Sequence, residues 1–322
     1  MHGHVWRVPS LKPVTFFGKS NNMSINNELT PPDPALDPTL DHLSRRALLE
    51  RIGAGALAAT VVPEALQDKK ARALDDPMIQ KSEITFTSKG ADDKEATLKG
   101  FLALPKGKKR VGSVIVIHEI FGLTDHIKDV ACRFAQEGYV ALAPNLFTRE
   151  GEPPSMAGGF GPLMQFVGKI SDKQIVADLN AAMKMLRWLK QSNKKVGIVG
   201  FCYGGRVSMI LAGYAPDLNA AVAYYGRISG NKTEAQPAHA IDLVEKMKAP
   251  LLGHFGALDN GIPPSEADKL RDALKQHNKI GEIYVYEGAG HAFNNDTRES
   301  YRPEIAKQAW QRTLDWFKHN LH

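Results

Sequence analysis

From residue 80 onward, short apolar runs alternate with stretches whose apolar residues recur every three to four positions. The runs at 84–87, 98–104, 113–117, 139–143, 195–199, 220–225, 250–255 and 282–286 have the length and composition of strands. Between them, 126–137, 173–190, 205–213 and 265–277 carry helical spacing, and 303–320 closes the chain as a further helix. Strands that alternate with helices predict an α/β fold built on a mostly parallel, doubly wound sheet with helices on both faces. Ligands then gather at the carboxyl ends of the strands. Residues 150–170, rich in Gly, Pro and Met, read as an irregular loop roofing that edge. No internal repeat is visible.

Composition narrows the function classes. The 322 residues include 41 Lys and Arg against 35 Asp and Glu, a formal charge of +6, and several of the positive charges lie before residue 80. No basic patch interleaved with aromatics suggests nucleic acid. Two cysteines, Cys132 and Cys202, make neither a disulfide framework nor a Cys-x-x-Cys pair. Cys132, in a helical stretch, reads as a small buried residue. His118-Glu119 does not open a His-Glu-x-x-His zinc motif, because position 122 is Gly. No phosphate-binding or dinucleotide fingerprint appears, so neither metal nor cofactor is expected.

One stretch carries chemistry. The apolar run Val196-Gly197-Ile198-Val199 leads into Gly200-Phe201-Cys202-Tyr203-Gly204-Gly205, and a helical segment follows. That is the strand–elbow–helix context of the α/β-hydrolase nucleophile turn, with cysteine where serine is usual. The flanking glycines let the strand and helix backbones crowd together. A cysteine placed there sits at a helix N-terminus, whose dipole favours a thiolate. Downstream, Asp259 follows the run at 250–255 and His291 follows the run at 282–286. The chain order Cys202, Asp259, His291 is the nucleophile–acid–base order of this fold. The bland alternatives are a buried structural cysteine, a loop-capping aspartate and a surface histidine. Three such residues at three strand ends favour the triad.

With these residues in place the chain resembles the dienelactone hydrolase (carboxymethylenebutenolidase) family over roughly residues 80–322. The resemblance rests on the elbow at 200–205, on His118-Glu119-Ile120-Phe121-Gly122, on Tyr224-Tyr225-Gly226, on Asp259 and on Gly290-His291-Ala292-Phe293. It implies a cysteine-dependent hydrolase of a small ester or lactone, acting through a covalent thioester. It also implies that Glu119 contacts the resting cysteine, restrains it and is displaced when substrate binds. Because the fold draws oxyanion donors from the first βα loop and from the residue after the nucleophile, the backbone amides of Ile120 and Tyr203 are expected there. Arg149 lies in a segment resembling the one that carries a substrate-carboxylate arginine. The family's second arginine falls at Asn295, with Arg298 near but out of register, and Asn145 replaces a common aspartate. These departures separate the chemistry from any one substrate. The rival readings are a redox-active thiol and a non-catalytic binding module on the same fold.

The first 79 residues read as a leader to a catalytic domain at 80–322. Residues 1–41 show no periodicity and are expected to be disordered. Ser44-Arg45-Arg46-Ala47-Leu48 and the weakly apolar stretch at 52–62 resemble a twin-arginine export signal, covering about 44–73. Leu48 fits the usual motif, Glu50 departs from it, and Met23 is an alternative start. Ala71-Arg72-Ala73 is a candidate cleavage site. The apolar stretch is too short for stable membrane insertion. The expectation is passage to the periplasm through the export machinery, the alternative being an uncleaved tail on a cytoplasmic enzyme.

Overall fold

The computed structural model describes residues 73–107 and 110–322. Eight strands form one sheet: β1 (Ile79–Lys89), β2 (Glu95–Pro105), β3 (Val111–Ile117), β4 (Val140–Pro144), β5 (Ser192–Phe201), β6 (Ala220–Tyr224), β7 (Leu251–Gly256) and β8 (Gly281–Tyr286). Their order across the sheet is β1-β2-β4-β3-β5-β6-β7-β8. β2 runs antiparallel to both neighbours, and every pairing from β4 to β8 is parallel. The described helices are α1 (Asp125–Gln136), α2 (Phe160–Gly168), α3 (Asp172–Trp188), α4 (Tyr203–Tyr214), α5 (Ala240–Leu243), α6 (Pro264–Gln276) and α7 (Pro303–Leu321).

β3 shows how the sequence builds two cores on one sheet. Ile115 and Ile117 join Ile175 and Leu179 of α3 and Val207 and Ile210 of α4. Val114 and Val116 point the other way, to Val130 and Phe134 of α1 and Phe317 and Leu321 of α7. A strand apolar on both faces belongs in the middle of a covered parallel sheet. Each such side chain contributes about 2 kcal/mol through burial. The result is a three-layer α/β fold with the carboxyl ends of β3, β5, β7 and β8 on one rim.

All eight strands coincide with the expected runs, and two elements differ in extent or kind. β1 spans eleven residues where only 84–87 was patterned as strand. It is an edge strand with polar residues at 80–83, extended by a full antiparallel ladder from Ile79↔Pro105 to Lys89↔Glu95. Residues 150–170 are not wholly irregular. They contain α2, which buries Leu163 and Val167 and packs Phe166 against Phe147 with ring centroids 5.0 Å apart. Its Gly and Pro residues hid the helical spacing.

The segment before β1 also packs onto the body. Ala73 is buried, and the Leu74 amide donates to Asp129 Oδ1 on α1 at 2.9 Å. Arg45, Arg46 and the apolar stretch of the expected leader lie outside the described residues. Among the described residues no helix is long and apolar enough to cross a membrane.

Candidate active site

β5 ends in a turn that places Cys202 at φ 56° and ψ −111°, immediately before the first residue of α4. A non-glycine residue there stores about 1–3 kcal/mol of strain and persists only where its surroundings hold it. The Cys202 amide donates to Tyr224 O at 3.0 Å, which anchors the elbow to β6. A Cβ at Gly200 would lie 2.0 Å from Gly204 O, and one at Gly204 would lie 2.4 Å from Ile117 O. Only glycine admits that crossing, so the elbow presses directly on the end of β3. Cys202 is left half-buried, facing the rim.

The acid and base arrive on the next strand ends. Asp259, 4% exposed, follows β7 and holds His291 Nδ1 at 2.7 Å through Oδ2. Its other oxygen accepts from the amides of Gly261 at 2.9 Å and Ile262 at 3.2 Å, so the carboxylate is fixed on both sides. Because Asp259 occupies Nδ1, Nε2 of His291 is the nitrogen free to act on sulfur. Burial of His291 works against its charge, but the adjacent Cys202 and the bond to Asp259 outweigh that, and its pKa stands well above the ordinary histidine value. The Tyr225 ring lies 5.1 Å from the His291 ring and walls the site, its hydroxyl buried and held protonated chiefly by burial and next by the nearby Glu119 and Cys202.

Glu119 emerges just after β3, 6% exposed. Its Oε2 accepts from Asn295 Nδ2 at 2.8 Å, and Arg298 Nε stands 3.9 Å away. Arg298 stacks its guanidinium over the Phe121 ring at 4.4 Å. Among the described residues Glu119 makes no hydrogen bond to Cys202. Asn295 is itself fixed: its Oδ1 accepts from the Thr297 amide at 3.0 Å and the Thr297 hydroxyl at 2.7 Å. Those donors leave its amide NH2 facing the carboxylate. Sequence spacing marked Asn295 only as a departure and set Arg298 aside as out of register. The turn after His291 brings both to Glu119.

Ile120 and Tyr203 are both buried, and neither backbone N–H meets a protein acceptor among the described residues. Arg149, in contrast, is committed elsewhere. Its guanidinium forks onto Asp178 at 3.0 and 3.1 Å and reaches Ser88 O at 3.3 Å. Through Nε and Nη2 the pair ties the loop after β4 to α3, and Nη1 takes no part in it.

The sequence profile of the dienelactone hydrolase family matches residues 98–321. The chain belongs to the dienelactone hydrolase family. A Methylorubrum extorquens protein named "Putative carboxymethylenebutenolidase" is 34% identical over 277 residues, spanning 86% of this chain and 93% of that one. An Escherichia coli protein of the same name is 43% identical over 208 residues, 64% of this chain and 76% of that one. A crystal structure of a Klebsiella pneumoniae protein named "Putative Dienelactone Hydrolase" aligns with a TM-score of 0.68 at 38% identity, covering 74% of this chain and 98% of that one. By family the chain is an α/β-hydrolase of the ester- and lactone-cleaving class.

Proposed function

We propose that the protein hydrolyses a small ester or lactone through a covalent thioester on Cys202. The observation that carries the reading is Cys202 on a strained elbow beside a His291 whose Nδ1 is held by buried Asp259. The thiol proton passes to His291 Nε2, giving a thiolate–imidazolium pair, and the thiolate attacks the carbonyl carbon. The amides of Ile120 and Tyr203 receive the developing oxyanion. As the carbon–oxygen bond breaks, the imidazolium protonates the leaving oxygen. Water then attacks the thioester, His291 takes its proton, and Cys202 leaves as thiolate. Asp259 keeps the imidazole in the required tautomer and stabilises its charged form. The cycle draws on no metal or cofactor.

The test is turnover of a chromogenic short-chain ester by the full chain and by Cys202→Ala. Loss of the nucleophile should lower kcat by about four powers of ten or more in a folded protein, leaving only binding and oxyanion contacts. Cys202→Ser should retain weak activity, since a hydroxyl ionises less readily beside the same base. Unchanged turnover in folded Cys202→Ala would overturn the reading.

A further inference from the structure

His118 stands outside the triad, yet its place is unusual for a histidine of purely structural use. It is fully buried at the end of β3, between the strand and the loop that carries Glu119 and Ile120. Both ring nitrogens are engaged. The Leu146 amide lies 3.1 Å from Nε2, and Nδ1 lies 2.6 Å from the Glu119 carbonyl oxygen. A backbone N–H can only donate, so Nε2 is the acceptor. The ring proton therefore sits on Nδ1, which donates to Glu119 O. Burial lowers the pKa to about 4, so the neutral form holds at ordinary pH.

We propose that His118 is a positioning residue for the oxyanion hole, clamping the Glu119–Ile120 peptide so that the Ile120 amide faces the elbow. The inference rests on the reading of Ile120 and Tyr203 as oxyanion donors. In a trans peptide the C=O and N–H point to opposite sides. Pinning the Glu119 carbonyl to the His118 ring therefore turns the Ile120 N–H away from it. The ring is fixed in turn. Phe147 meets it edge-on with centroids 4.5 Å apart, and the Tyr203 ring lies near-parallel at 6.4 Å and 22°. Tyr203 is the residue whose amide is read as the second donor, and its side chain thus flanks the same imidazole. The backbone at this point is also held against the elbow, since a Cβ at Gly204 would stand 2.7 Å from the His118 carbonyl oxygen. A donor aimed at developing charge works only when held to within a few tenths of an ångström. This arrangement supplies that constraint from the side away from solvent.

Three substitutions separate positioning from folding. His118→Leu removes both bonds at similar volume. His118→Gln offers one donor and one acceptor at its tip. His118→Asn can keep the donor to Glu119 O while losing the acceptor for Leu146. In the full chain, kcat and KM for the short-chain ester, the melting temperature, and the rate of Cys202 alkylation by iodoacetamide are measured together. Alkylation occurs at a saturated carbon and builds no oxyanion, so it reads the nucleophile alone.

The expected result for His118→Leu is a kcat lowered about 10- to 100-fold, with KM and the alkylation rate within about twofold of wild type. Gln should restore most of kcat, and Asn should keep kcat while melting lower. Wild-type kcat in His118→Leu, or kcat and alkylation falling together, would overturn the inference. If the Leu variant does not fold, Gln and Asn decide: kcat that follows melting temperature rather than the bond to Glu119 refutes positioning. Wild-type protein that still hydrolyses ester after complete alkylation of Cys202 would overturn the parent reading instead.

Discussion

The carboxylate of Glu119 is held by a neutral partner, the Asn295 amide, with the Arg298 guanidinium farther off at 3.9 Å. The Tyr225 hydroxyl lies near enough to Glu119 and to Cys202 to feel both. A carboxylate beside a thiol opposes thiolate formation. Glu119→Gln removes that charge at nearly constant shape and lets residue 119 keep a polar contact to Asn295. Alkylation of Cys202 near neutral pH should then speed up several-fold, because like-charge repulsion of the thiolate is relieved. Hydrolysis need not improve, because a carboxylate that moves on substrate binding would also be lost. An alkylation-versus-pH profile identical to wild type would make Glu119 an ordinary loop carboxylate. At this scale the elbow, the triad order and the loop after β3 were legible, because each is a short motif tied to one strand end. The partners of Glu119 were not. Asn295 and Arg298 reach it through a turn whose register cannot be counted from His291, and Arg149 finds Asp178 across 29 positions of sequence.

Between elements, the carboxyl half of the sheet is tied by a buried polar cluster. His254 on β7 is fully buried, its Nδ1 2.9 Å from the Tyr286 hydroxyl on β8 and its Nε2 3.1 Å from Thr313 Oγ1 on α7. The Thr313 hydroxyl also meets Tyr224 Oη at 2.7 Å, and Arg312 donates to the Tyr286 hydroxyl at 2.9 Å. Burial first, and the Arg312 charge second, push the His254 pKa down to about 3. Burial likewise lowers that of His118 to about 4. The sign follows from proton counting: below the unfolded value of about 6.5 the unfolded chain binds protons that the folded chain refuses. Stability should therefore fall as pH drops from about 6.5 toward 4, by about 1.4 kcal/mol per pH unit for each histidine. His291, with its raised pKa, keeps its proton in the folded state through that window and adds no acid lability. Urea unfolding between pH 6.5 and 4.5 should show stability falling with pH, and His254→Gln should reduce the slope by up to about one proton. A slope unaffected by His254→Gln would show that this cluster does not govern acid lability. The sequence carried the strands of this region but not the cluster. A histidine within an apolar run gives no sign of the hydroxyls that will meet it, and the Gly- and Pro-bearing α2 was hidden for the related reason that tertiary packing overrode weak propensity.

For the whole molecule, the open question is where the catalytic body begins. Arg45, Arg46 and the apolar stretch after them resemble an export leader, and we propose that the protein is exported and trimmed. The described body limits where trimming can fall. Ala73 is buried, and Lys81 Nζ donates to Leu74 O at 2.7 Å. The Leu74 amide bonds Asp129 Oδ1, whose carboxylate also pairs with Arg133 on α1. Arg133 in turn reaches Asp296, next to the Asn295 that holds Glu119. Cleavage after Ala73 would leave the new α-ammonium of Leu74 facing the Asp129 carboxylate, an acceptable exchange of an amide donor for a charged one. Cleavage beyond Leu74 would strip Asp129 of that donor beside the network leading to the active-site loop. The mature chain should therefore start at or before Leu74, and after the apolar stretch ends at residue 62. Replacing both arginines by lysine should leave uncut precursor in the cytoplasm of a native-like host. N-terminal sequencing of the secreted form reads the boundary directly. A mature terminus inside β1, or an unprocessed chain found wholly in the cytosol, would refute export and trimming as described.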